Sequence, residues 1–324
     1  MRSTGRSLGS LVAVAAAAVT LAACSSQGGA QGGGGASGKS YTIAMVTHEA
    51  PGDTFWDKIR NGAEQAAKDH GITLKYSNDP DAGNQATLVQ NAVSSKVDGI
   101  ATTLPTPAAI GPAAQKAVQA GIPVVAFNAG KDAYKQYGAG MYFGSDEDLA
   151  GQTVGTKIVQ QSPGGKTVCV IQEQGQVQLE GRCAGVKKTD PSSEVLYVNG
   201  RDLPSVQQTI GAKLQQDRSI TDVVTLGADI ALAAQKAVAD SGSQAKIATF
   251  DLNADVAQQI QNGGINFSVD QQPYVQGYMA VTALWLNLTN GNDIGGGGPV
   301  LTGPSIVDQS NIGPIVAYTK NNTR

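Results

Sequence analysis

The chain is poor in the residue types that most catalytic and metal chemistry requires. It has two histidines, His48 and His70, and three cysteines, Cys24, Cys169 and Cys183. That is too few for the usual zinc ligand sets, and no Cys-x-x-Cys pair is present. There is no HExxH, no Walker loop, no GxGxxG after the first strand and no Ser-His-Asp constellation. No catalytic residue, metal or cofactor is therefore expected. Charged side chains make up 15% of the chain, well below the roughly 25% of an average soluble domain. The balance of 23 basic against 26 acidic residues is mildly acidic and has no basic tract, which argues against nucleic-acid binding. The one long apolar run, Leu8 to Ala23, is shorter than the ~20 residues a membrane-spanning helix needs.

That run follows Arg2 and Arg6 and ends in Leu21-Ala22-Ala23-Cys24, the layout of an export signal. Its end resembles the lipobox of bacterial lipoproteins. The resemblance implies a signal peptide over 1–23 and lipidation of Cys24, which would anchor the chain to the outer face of the cytoplasmic membrane. An ordinary signal peptide with Cys24 incidental is the alternative. Residues 24–40 then read as a tether. Ser25 to Ser40 is Gly, Ala, Ser and Gln with one charge, Lys39, and cannot bury apolar surface. As a flexible coil it would span about 20–24 Å.

A length of 324 residues suits two domains. From Tyr41 onward short apolar strands alternate with helical patterns. Tyr41 to Thr47 reads as a strand, and Phe55 to His70 as a helix with Trp56, Ile59, Ala63, Ala66 and Ala67 on one face. Strands near Ile72–Tyr76, Gly99–Thr103 and Pro123–Phe127 follow. The pattern then restarts, with Ser145 and Asp148 placed as a capping box. Further strands are read at Thr167–Ile171, Glu194–Val198, Asp222–Leu226, Lys246–Phe250 and Asn266–Val269, before a long last helix, Tyr274 to Leu288. This alternation predicts an α/β fold with two parallel sheets. Ligands in such sheets bind outside the carboxyl ends of the strands, so the loops after each strand are the candidate site.

The first such loop holds His48-Glu49, Asp53, Phe55 and Trp56. A flat ring covers the C–H face of a sugar, while a carboxylate accepts from hydroxyls. Alternatively Trp56 is the first core residue of the helix and Asp53 its cap. His48-Glu49 has no third partner in sequence and reads as a loop hydrogen bond or ligand contact. The other strand ends supply Thr103, Asn128, Gln172 to Gln178 with Arg182 beyond, Asp251, and Asp270-Gln271. Amides, carboxylates and one guanidinium without an activated nucleophile suggest binding, not turnover.

The Phe55-Trp56 pair, Lys96-Val97-Asp98-Gly99-Ile100 and Ala120-Gly121-Ile122-Pro123-Val124-Val125-Ala126-Phe127-Asn128 resemble the type I sugar-binding proteins of ABC transporters, in the ribose/galactose-like class. The likeness runs over nearly all of Tyr41 to Asp308. It implies two Rossmann-like lobes joined by a three-segment hinge, placed near Phe143-Gly144, Asp270-Gln271 and Ser305-Ile306. The lobes would comprise 41–143 plus 271–305 and 144–270 plus 306–324. It also implies a monomer that closes on a small sugar or polyol and docks on a membrane permease. By that resemblance Asp53, Phe55 and Trp56 form the first lobe's sugar wall. Arg182, with Gly185 three residues on, and Asp251 belong to the second lobe, and Gln271 to the hinge. Two motifs differ: the family's Asp-Arg is Asn128-Ala129 here, and its Asn-Asp is replaced by Gly227-Ala228-Asp229. Asp229 either compensates or caps its helix. The same fold also serves signalling receptors for small molecules.

With Cys24 assigned to lipid, Cys169 and Cys183 remain as an even pair in an exported chain. A disulfide is the expectation and two buried thiols the alternative. The tail Asn321–Arg324 is expected to fray.

Overall fold

A computed structural model describes residues 40–324. The signal segment, Cys24 and the tether lie outside the described residues. Among those described, no helix is long and apolar enough to cross a membrane.

Chain order begins with β1 (Thr42–Thr47), α1 (Phe55–His70), β2 (Thr73–Asn78), α2 (Ala82–Ser94), β3 (Gly99–Thr102), α3 (Pro107–Gln119), β4 (Val124–Phe127) and β5 (Met141–Ser145). The second run comprises α4 (Glu147–Gln161), β6 (Lys166–Ile171), α5 (Val177–Thr189), β7 (Glu194–Tyr197), α6 (Leu203–Gln216) and β8 (Ile220–Thr225). It continues through α7 (Ala228–Ser241), β9 (Lys246–Phe250), α8 (Ala254–Gln261) and β10 (Phe267–Asp270). The chain closes with α9 (Pro273–Asn290), β11 (Val300–Gly303), β12 (Ser305–Asp308) and α10 (Ile315–Lys320). The sheets have the orders β11-β5-β4-β3-β1-β2 and β12-β10-β9-β8-β6-β7, the same winding twice. All pairings are parallel except β10 with β12. This is the α/β fold with two Rossmann-like lobes.

The inner strands bury both faces, so alternate residues enter different cores. Ile43 and Met45 pack with Trp56, Ile59 and Ala63 of α1 and Leu284 of α9. Ala44 and Val46 turn the other way, toward Val89 of α2 and Ile110 of α3. The helices nearest the hinge meet through glycines that allow backbone contact. A Cβ on Gly62 would stand 2.1 Å from Tyr274 O, fixing α1 against α9. In the second lobe a Cβ on Gly185 would stand 2.3 Å from Asp148 O, fixing α5 against α4.

Three local expectations change. Ser145 continues β5, so the α4 cap is the next residue: Asp146 Oδ1 accepts from Leu149 N at 3.1 Å. The chain crosses between sheets at Asp146, at Gln271-Gln272 and at Pro304. Boundaries at 143/144 and 305/306 would therefore cut β5 and β12, because Ser145 pairs with Gly303 in one sheet and Ser305 with Asp270 in the other. The tail is tied down: Asn61 Nδ2 donates to Asn322 O at 3.2 Å, and Arg324 Nε donates to the buried Asp270 carboxylate.

Candidate functional site

The carboxyl ends of the two sheets enclose a cavity of about 330 Å³. Asp53, Phe55, Trp56, Asn128, Arg182, Asp251 and Gln271 all line it, together with His48, the Gln172–Gln178 loop, Arg201 and Asp229.

On the first lobe the turn after β1 brings Asp53 and Phe55 to the wall. Asp53 Oδ1 accepts from Phe55 N at 3.0 Å, so one carboxylate oxygen steadies the start of α1. Burial pushes the Asp53 carboxyl up to about 7, with Glu173 and Asp229 adding to the rise. Phe55 meets Trp56 edge-on at 5.2 Å, and Trp56 meets His48 edge-on at 4.6 Å. Trp56 is both a core residue and part of the wall.

On the second lobe Arg182 is fully enclosed. Its Nε and Nη2 donate to the two Glu147 oxygens at 2.6 and 3.3 Å, and its Nη1 donates to Leu226 O at 3.3 Å. The guanidinium lies over the Phe250 ring at 4.6 Å. The next residue, Cys183, is bonded to Cys169 of β6, with 5.8 Å between their Cα atoms. Ionic, aromatic and covalent restraints therefore converge on one turn of α5. Asp251 lies 3.9 Å from Arg182 Nη1, yet burial outweighs that cation and pushes its carboxyl up to about 7.

Asn128 lines the cavity, and its Nδ2 donates to Gln271 Oε1 at 3.3 Å and to Gln276 Oε1 at 3.2 Å, which ties it to the hinge. Gln271 in turn donates to Asp251 Oδ1 at 2.8 Å. Asp229 makes no side-chain cap on α7; it lines the cavity and accepts from Asn253 Nδ2 at 3.1 Å.

The lobes touch around the cavity. Val177 N donates to Pro105 O at 2.9 Å, and the Gln178 amide donates to His48 Nε2 at 3.1 Å. That donor makes Nε2 the acceptor and leaves the proton on Nδ1, which donates to Thr103 Oγ1 at 2.8 Å. Burial, with Arg182 nearby, pushes His48 down to about 3, so the imidazole is neutral. The hydroxyl beside it, Thr103 Oγ1, does not line the cavity. Among the described residues no group of three His, Cys, Asp or Glu is placed to hold a metal.

Sequence reasoning missed Glu147 and Lys58, and it did not single out Gln178 within its loop. Glu147 looks like an ordinary acid in a helix's first turn. Lys58 looks like a solvent-facing residue of an amphipathic helix but is 1% exposed.

A model of the periplasmic binding protein domain matches residues 43–293. The chain belongs to this family. Among solved periplasmic binding proteins and their relatives, it is similar to a carbohydrate transporter from Acidothermus cellulolyticus 11B, in complex with myo-inositol. The two share 56% identity and a TM-score of 0.87 over 88% of this chain and 100% of that one. The glucose-galactose binding protein GanP from Geobacillus stearothermophilus shares the fold at 20% identity. Its TM-score is 0.76 over 85% of this chain and 100% of that one. The xylose/arabinose-binding protein XylF of Sulfolobus acidocaldarius is 26% identical over an alignment of 252 residues that covers 72% of this chain. That match spans 62% of the length of XylF.

Proposed function

We propose that this protein is the extracytoplasmic binding component of an ABC importer and that it captures a neutral polyol, a cyclitol such as myo-inositol or a monosaccharide, between its lobes. The observation that carries the reading is the chemistry of the cavity wall. The buried Gln178 Oε1 and Gln172 Oε1 have no hydrogen-bond partner within the protein, and both residues face the cavity beside Asp53 and Asp229. Donor groups are mostly spent internally, on Glu147, on Asp251 and across the hinge. A wall rich in open acceptors fits a ligand that presents hydroxyl donors all round, with Phe55 and Trp56 covering its C–H face. The relative holding myo-inositol supports the cyclitol choice.

The ligand is bound and released without covalent change, since the polar groups form a cage and none is an activated nucleophile. The lobes close by hinge motion about Asp146, Gln271-Gln272 and Pro304, and the closed form is the one presented to the permease. The chain acts as a monomer tethered through lipid on Cys24. Mass spectrometry of the mature amino terminus tests the anchor: a diacylglyceryl cysteine supports it, and a free thiol at Cys24 overturns it.

Calorimetry with myo-inositol, D-xylose, D-arabinose and D-glucose tests the ligand. We expect myo-inositol to bind near micromolar, about −8 kcal/mol. Absence of heat with all four compounds would remove the polyol assignment.

A further inference from the structure

One buried ionisable group has no part in the cage described so far. Lys58 stands on the first turn of α1, yet it is only 1% exposed. Its ammonium donates to Thr54 O at 3.2 Å, which leaves two of its N–H groups unspent on that bond. Lys58 does not itself line the cavity; of the four carboxylates acting on it, Asp53, Asp229 and Asp251 line the cavity and Asp57 is its neighbour on α1. Two of them belong to the other lobe.

The charges around the cavity do not otherwise balance. Asp53, Glu173, Asp229 and Asp251 line it, and the lining cations are Arg182 and Arg201. Arg182 is already matched by Glu147, and Arg201 acts on Glu173. Arg182 also lies 3.9 Å from Asp251, so without Lys58 it is the Asp53–Asp229 side of the cavity that would hold carboxylate charge with no lining cation of its own. Such a wall would attract an ammonium in place of a hydroxyl.

We propose that Lys58 sets the charge selectivity of the cleft, balancing Asp53 and Asp229 so that neutral polyols are preferred over their amino-substituted counterparts. The inference rests on the polyol reading and adds a determinant of which polyols are accepted. It also follows that the ammonium acts from behind the wall, through its field, without touching the ligand.

The test is calorimetric titration of the wild type, Lys58→Met and Asp229→Asn with myo-inositol and with the aminocyclitol scyllo-inosamine, at pH 7 and low salt. Removing Lys58 raises the amine-to-neutral affinity ratio about ten-fold, the size expected of one unit charge within about 10 Å at an effective dielectric near 20. Asp229→Asn lowers the same ratio by a similar factor. Lys58→Gln replaces Lys58→Met where the latter does not fold, and Asp229→Asn reports the opposite sign in either case. A loss of packing alone would weaken both ligands together and leave the ratio where it was. Wild-type binding of myo-inositol with an unmoved ratio in the variants overturns the inference alone. A wild type that binds neither compound overturns the polyol reading and this inference with it.

Discussion

Asn128 and Asp251 occupy the same place in the two lobes and are tied to the same side chain. Each follows the fourth strand of its run, and each has a positive φ, 62° and 67°. Gln271 on the hinge accepts from Asn128 at 3.3 Å and donates to Asp251 at 2.8 Å. One amide thus reads the separation of the two lobes, because the contacts lie on opposite sides of the crossing segment.

Replacing that amide should loosen closure more than it harms either lobe. Gln271→Leu leaves Asp251, which is 6% exposed, without its amide donor, at a cost of about 1–3 kcal/mol. We expect ligand affinity to fall at least ten-fold by calorimetry. Small-angle scattering with saturating ligand should show a more open average. Wild-type affinity in Gln271→Leu would mean the bridge is incidental.

Glu147 is predicted to matter for binding although it lies behind Arg182. Glu147→Ala removes the bidentate partner of a fully buried guanidinium, a change that typically costs about 3–5 kcal/mol. Glu147→Gln keeps one acceptor and should recover part of the stability while affinity stays low, because Arg182 is no longer aimed. Thermal melts and calorimetry on the two variants separate these effects. Equal recovery of both quantities would reduce Glu147 to a structural role.

Reduction of Cys169–Cys183 should lower stability by about 3 kcal/mol, the chain-entropy value for a loop near 15 residues. Since Cys183 adjoins Arg182, affinity should drop as well. Denaturant melts and titrations of the Cys169→Ala/Cys183→Ala protein check both. An unchanged midpoint would show that the packing of β6 and α5 suffices.

The shifted groups predict opposing slopes of stability with pH. Asp53 and Asp251 titrate near 7 in the folded protein, above the ordinary 3.8, so the native state binds more protons between those values. Their contribution therefore declines as pH rises from about 4 to 7. His48 sits at about 3, below the ordinary 6.5, so its contribution is present above 6.5 and is lost as pH falls toward 3. Asp251→Asn should flatten the decline between pH 4 and 7, and His48→Gln should steepen it. Urea melts across that range measure both, and a variant slope equal to the wild type's would contradict the corresponding shift.

Gly185 supplies a packing test. An alanine there would bring a Cβ to 2.3 Å from Asp148 O, so α5 must move away from α4. The expected loss is about 1–3 kcal/mol, with weaker ligand binding because Arg182 rides on the same helix. A melt unchanged within error would show that the helices separate freely.

The sequence by itself determined the repeated α/β alternation, the loops that face the ligand and the seven residues that reach one cavity. Each of those follows from periodicity within a few turns, or from the rule that sites lie beyond strand ends. Phe55–His70 could be bounded from its apolar face and the glycine after it, and Cys169 and Cys183 could be paired by counting. Tertiary structure alone decided the rest. Lys58 is 1% exposed although it reads as a solvent-facing residue of an amphipathic helix, and Glu147 meets Arg182 across 35 positions of chain. Asn128 became a hinge residue because its amide finds Gln271 and Gln276, more than 140 residues away. Strand and helix patterns record a residue's own neighbours, whereas burial and charge pairing depend on segments that meet only once both sheets have formed.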